Sequence, residues 1–194
     1  MLINKALICD MKNRRRKGGL STITILILML GGPATVGAQE IRIVNDLPAA
    51  DAKTYFNIEN GTVITGADTA GSNWDLAFLR TRVWVNSGKN RAGNTKAVLL
   101  KNTPFDKLRA APSEGYNEDN DTLPAIPDGS GNGWYVYDMN NHTVSPAPGR
   151  VIVLKTGTGR FVKLEILNYY KDGDGDPGYY TFRYSFIEKA KQGI

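Results

Sequence analysis

Thiols, imidazoles and membrane-length apolar runs are nearly missing from this 194-residue chain, and each scarcity removes a class of function. The single cysteine, Cys9, can neither close a disulfide within the chain nor build a thiolate metal site. The single histidine, His142, is the only imidazole available as a general base, and no G-x-S-x-G elbow or H-E-x-x-H pair accompanies it. Glu118 and Asp119 are adjacent carboxylates, but their loop is polar on both flanks and a solvated carboxylate is a weak acid–base catalyst. Together these absences argue for a protein that is not an enzyme. The longest apolar run, Leu20–Leu30, has eleven residues against the ~20 that a membrane-spanning helix needs. A stable membrane anchor is therefore not expected.

That run sits in a targeting segment. Lys12, Arg14, Arg15, Arg16 and Lys17 form a positive block before it, and "GGPATVGAQ" follows with small residues and Pro33. This order is that of a signal peptide over residues 1–38, cleaved near Ala38, and it predicts a secreted or periplasmic product. Cys9 leaves with the segment, and no cysteine stands at the cut for lipid attachment. Of 24 basic and 19 acidic residues, six basic and one acidic lie before residue 39, so the whole-chain charge of +5 disappears on cleavage. A formally neutral remainder gives no reason to expect nucleic acid as a partner.

From there the signals are strand and turn. Residues 39–53 read as a leader strand (Ile41–Val44) and a small-residue linker, and 54–194 as one β domain. "YFNIENGTVIT" places Asn60 and Gly61 between two short apolar runs, a hairpin cue because both tolerate positive φ. In "NWDLAFLR", Trp74, Leu76 and Phe78 share one face. The last third predicts a three-strand antiparallel meander. Val162, Leu164 and Ile166 alternate with outward Lys163 and Glu165, and Tyr180, Phe182, Tyr184 and Phe186 alternate with Thr181, Arg183 and Ser185. Helix signals are confined to Thr103–Pro112, with Thr103 as N-cap and Pro104 at the first position. Residues 113–133 are polar and rich in Gly and Pro, which predicts a surface excursion. The fold class is all-β with antiparallel sheets and little helix.

Two constellations carry ligand chemistry. Asp172, Asp174 and Asp176 alternate in "DGDGD" and offer a weak calcium possibility, although an EF-hand register from Asp172 puts Pro177 and Arg183 where glycine and glutamate are required. Met139 and His142 stand three residues apart in "YVYDMNNHTVSP", and a thioether and an imidazole are both haem-iron ligands. Three residues reach ~10 Å when extended, too little to pass around a porphyrin edge, so at most one of the two can be axial. The three N-x-[ST] matches, at Asn60, Asn120 and Asn141, are near chance in a chain this rich in Asn and Thr.

The set "NWDLAF" (73–78), "VWVNSG" (83–88), "RVIVLKTGTGRFVKLEILNYY" (150–170) and "GYYTFRY" (178–184) resembles the HmuY family of secreted or surface haem-binding proteins of Bacteroidetes, over about residues 54–187. The resemblance implies an all-β haemophore in which two projecting hairpins or loops hold haem between paired His or Met ligands, capturing it for an outer-membrane receptor in iron acquisition. One family ligand follows a tryptophan by five residues; here that tryptophan is Trp134 and the ligand position is Met139, with His142 as the alternative. Trp134, Tyr135, Tyr137 and Tyr116 become possible porphyrin contacts. The other family ligand comes from a longer excursion before the tryptophan, whereas residues 117–133 contain no His, Met or Cys. The chain therefore reads as a short member lacking one ligand loop, and the rival expectation is an HmuY-like interaction module without haem, binding a surface protein or a glycan.

Overall fold

The computed structural model describes residues 39–89, 91–120 and 123–190, so the signal-peptide expectation for 1–38 lies outside the described residues. Twelve strands appear among them: β1 Arg42–Pro48, β2 Thr54–Asn57, β3 Thr62–Ile64, β4 Leu76–Leu79, β5 Arg82–Val85, β6 Lys96–Leu100, β7 Ala110–Ala111, β8 Tyr135–Asp138, β9 Thr143–Pro146, β10 Val151–Lys155, β11 Phe161–Tyr170 and β12 Pro177–Lys189. Only three short 3-10 turns interrupt them, so the all-β expectation holds.

The C-terminal meander is the centre of the main sheet, ordered β1-β12-β11-β10-β6, with β7 added in parallel to β12. Leu164 stands opposite Tyr184, and Ile166 opposite Phe182, so the period-2 pattern puts aliphatic and aromatic side chains on one face. That face meets a four-stranded sheet, β3-β2-β4-β5, through Phe56, Leu76, Phe78, Val83 and Val85. Phe78 stacks on Phe182 at 5.6 Å, and Phe56 meets the same ring edge-on at 5.5 Å. The Asn60-Gly61 hairpin forms as expected, with Gly61 at φ 70° and Asn57 Oδ1 accepting from Asn60 N at 2.8 Å.

Four local expectations are corrected. The leader strand continues to Pro48 and pairs with β12, placing Leu47 in the core, so residues 42–48 are an edge of the main sheet. Trp74 leaves the Leu76–Phe78 face: its ring abuts Tyr55 at 4.9 Å and its Nε1 donates to Thr69 O. The helical turn is shortened to Phe105–Lys107 with Pro104 at the cap, because the Thr103 hydroxyl donates to Lys101 O instead of capping. The face assigned to Lys163 and Ser185 is not solvated. Phe105, Ala111 and Leu108 pack over Val151, Val153 and Ile187, and Lys163 is only 2% exposed. Its Nζ donates to Phe105 O at 3.0 Å and Leu108 O at 2.9 Å, which satisfies the buried ammonium with backbone carbonyls.

The 113–133 segment is likewise more than a surface excursion. Asp119 is buried and accepts from Val85 N at 2.9 Å, Ala125 N at 2.7 Å and the Arg91 guanidinium. This one carboxylate gathers the loop onto β5 and tucks Ala125 and Ile126 into the core.

Candidate functional site

The β8–β9 hairpin carries both sulfur and imidazole, and its geometry starts from Trp134. The indole is 3% exposed, packed among Tyr135, Tyr169 and Tyr180 at 5.0, 5.7 and 5.4 Å, and its Nε1 donates to Thr81 O at 2.8 Å. Trp134 thus anchors the root of the hairpin in the core; its expected role as a porphyrin contact is corrected by that burial. Beyond the root, Tyr137 N donates to Ser130 Oγ, and Val144 N to Tyr170 Oη, both at 2.8 Å. Tyr135 and Tyr137 alternate with Val136 and Asp138, and they lie opposite Pro146 and Val144. Tyr135 packs against the core with Val144, while Tyr137 turns its hydroxyl to the loop.

Four residues, Met139 to His142, close the hairpin. Asp138 holds them: Oδ1 accepts from Asn140 N at 2.8 Å and Oδ2 from Asn141 Nδ2 at 3.1 Å. His142 adopts φ 54°, the left-handed region in which Asn, Asp and His are the side chains most often found after glycine. Its Nδ1 meets Tyr137 Oη at 2.8 Å. Met139 is 73% exposed at the tip. The structure therefore brings Met139, His142 and Tyr137 together on one projecting turn, with Trp134 and Tyr135 beneath it.

Elsewhere the expected residues separate. Tyr116 packs on Phe161 at 5.7 Å, its hydroxyl is buried without a partner, and burial pushes its pKa up to about 12, which works against a phenolate ligand. Asp172, Asp174 and Asp176 are all exposed, and among the described residues no three His, Cys, Asp or Glu side chains converge on a metal position. Asp172 instead donates its backbone N–H to Asp46 Oδ1. Of five surface clefts among the described residues, of about 220 to 490 Å³, none is lined by Met139, His142, Tyr135 or Tyr137. Tested against haem, the tip offers donor chemistry for one axial bond, and none of these five clefts adjoins it.

Sequence reasoning passed over a second cluster, on the outer face of the four-stranded sheet. Arg82 and Trp84 alternate with buried Val83 and Val85, and Lys53 Nζ and Arg82 Cζ lie 4.5 and 5.1 Å from the Trp84 ring. The alternation R-V-W-V was legible as a one-sided strand; the convergence of Lys53 and Arg91 on it was not.

The HmuY protein family profile matches residues 49–184. No curated protein matches the sequence. Apo PinO from Porphyromonas gingivitis is 18% identical and superposes with a TM-score of 0.56 over 78% of this chain and 100% of its own. The apo HmuY analog of Tannerella forsythia is 17% identical, with a TM-score of 0.53 over 78% of this chain and 96% of its own. A Bacteroides vulgatus protein described as HmuY-like and heme binding is 18% identical, with a TM-score of 0.55 over 79% and 94%. At these identities the likeness establishes a shared fold.

Proposed function

The chain belongs to the HmuY family, and from that premise we propose that it is a secreted or periplasmic, non-enzymatic haem binder whose iron contact is the tip of the β8–β9 hairpin. One observation carries the reading: a methionine 73% exposed on a turn whose backbone is held by Asp138 and whose root is locked by Trp134. Met139 Sδ serves as the axial ligand, since an unhindered sulfur on a rigid projection meets iron without rearranging the core. His142 is the alternative. In the tautomer whose Nδ1–H donates to Tyr137 Oη, the lone pair lies on Nε2, the arrangement by which a hydrogen bond orients a ligating imidazole. Haem supplies an open iron position that accepts sulfur or nitrogen. The bound haem would pass to an outer-membrane receptor.

Haemin titration of the purified protein tests this. A Soret shift at micromolar haemin that is lost in Met139→Ala and kept in His142→Ala supports Met139, and the converse pattern transfers the role to His142. No shift at that concentration refutes haem binding. The second reading, an interaction module without haem that binds a surface protein or glycan, is favoured by one observation: residues 117–133 hold no His, Met or Cys, and Ala125 and Ile126 of that segment turn into the core.

A further inference from the structure

Away from the hairpin, two neighbouring clefts of about 320 and 220 Å³ share Trp84 and Arg91 as a common wall. The larger is completed by Arg82, Ser87, Lys89, Asp119, Asn120 and Pro124. Its volume is at the low end of the roughly 300–1,000 Å³ of small-molecule sites, enough for one ring and too little for a porphyrin.

The wall is built. Asp119 fixes one end of Arg91, whose Nη1 also donates to Val85 O at 2.7 Å, while Arg91 Nη2 and Nε make no hydrogen bond among the described residues. Gly88 makes this packing possible: at φ 95° it brings its backbone so close to Asp119 that a Cβ there would lie 1.9 Å from Asp119 O. Immediately before it, Ser87 is 2% exposed and its Oγ is buried with no hydrogen-bond partner, although it lines the cleft. A buried hydroxyl without a partner is costly, and such a group beside a cleft points to something that bonds it there.

Charge is unbalanced in the same place. Arg91 has Asp119, and Arg82 has Asp128 at 3.4 Å, but Lys53 and Lys89 form no ion pair among the described residues. Burial, then repulsion from Arg91 and Arg82, holds the Lys53 ammonium below its ordinary pKa, as expected of a cation cluster short of negative charge. Trp84, half-buried above Ala77 and flanked by Lys53, adds a flat apolar wall.

We propose that this cleft binds a small ring-shaped carboxylate, its carboxylate at the free edge of Arg91 and at Lys89, its ring against Trp84, and one of its oxygens accepting from Ser87 Oγ. Sugar acids and aromatic acids share this chemistry, a carboxylate on a six-membered ring with an apolar face. The site is independent of the haem reading, because none of its residues belongs to the hairpin.

Calorimetric titration of the full protein at low ionic strength with D-glucuronate, benzoate, D-glucose and inorganic phosphate tests the proposal. Saturable binding of at least one acid, with none of glucose, is expected; glucuronate alone identifies sugar acids and benzoate alone aromatic acids. Lys89→Ala and Trp84→Ala should each weaken it about ten-fold, and added salt should weaken it further. Ser87→Ala should also weaken it without lowering the melting temperature, a readout that separates ligand contact from a folding role. The proposal is overturned if neither acid binds at millimolar concentration. It is equally overturned if phosphate binds as well as the acids, or if the Lys89 and Ser87 variants bind as the parent does while their melting temperatures are unchanged.

Discussion

Replacing Lys163 by methionine removes the ammonium and keeps an unbranched stem, so the change isolates one polar anchor without opening a cavity. Lys163 is 2% exposed, donates to Phe105 O and Leu108 O, and lies 4.3 Å from the Phe105 ring centroid. Two hydrogen bonds from a charged donor are worth about 1.5–3 kcal/mol each and the ring contact about 0.5–2 kcal/mol. Against that gain stands the desolvation of the ammonium, several kcal/mol, which the variant recovers. Phe105 O also keeps a bond from Leu108 N at 3.3 Å, so Leu108 O is the carbonyl left stranded. The net loss is expected at about 1–3 kcal/mol, a fall of roughly 1 M in the urea midpoint.

The pH dependence adds a signed test. Burial, then repulsion from Arg109, lowers the Lys163 pKa, so between the folded and unfolded values the unfolded chain carries the extra proton. Stability contributed by Lys163 therefore rises with pH across that alkaline window, and the deficit of Lys163→Met should widen there. Urea melts at neutral and alkaline pH check both statements. An unchanged midpoint at neutral pH would mean that the carbonyl contacts contribute nothing, and a deficit that narrows in alkali would reverse the assigned shift.

Gly88→Ala should destabilise by at least about 1–3 kcal/mol, because it forces a side chain at φ 95° against Asp119 O; thermal melting measures it. Trp134→Phe keeps the ring packing but strands Thr81 O, so a loss of about 1–2 kcal/mol is expected in denaturant titration, with a hairpin that remains protease-resistant in the native state. Burial raises the Asp75 pKa, although Ile58 N and Thr95 Oγ1 donate to its carboxylate. The folded state then holds the proton more tightly than the unfolded one, so stability from this group is lost as pH rises through the folded value. Asp75→Asn should flatten that slope in stability measurements taken upward from the ordinary carboxylate range.

Strand identity was legible where apolar and polar residues alternate. Val162, Leu164 and Ile166 against Tyr180, Phe182 and Tyr184 mark the meander because a pleated sheet with one dry face tolerates no other spacing. The Asn60-Gly61 turn was legible for the same local reason, a need for positive φ. Met139 and His142 were visible as soft donors three residues apart, but not the Tyr137–His142 contact, which requires a four-residue loop to fold one strand back beside the next.

Residue type and spacing alone determined the all-β class and the Asn60-Gly61 turn, which depend on neighbours a few positions apart, and the order of short motifs along the chain pointed to the family. Tertiary structure decided what depends on segments that meet from far along the chain. Lys163 has the alternation of a solvent-facing residue and is buried because Phe105 and Leu108 fold over it. Trp134 reads as a ligand wall and is core because Thr81, Tyr169 and Tyr180 surround it. The cation-rich cleft beside Trp84 exists because Asp119 reaches across 28 positions to Arg91, a charge pairing no local pattern encodes.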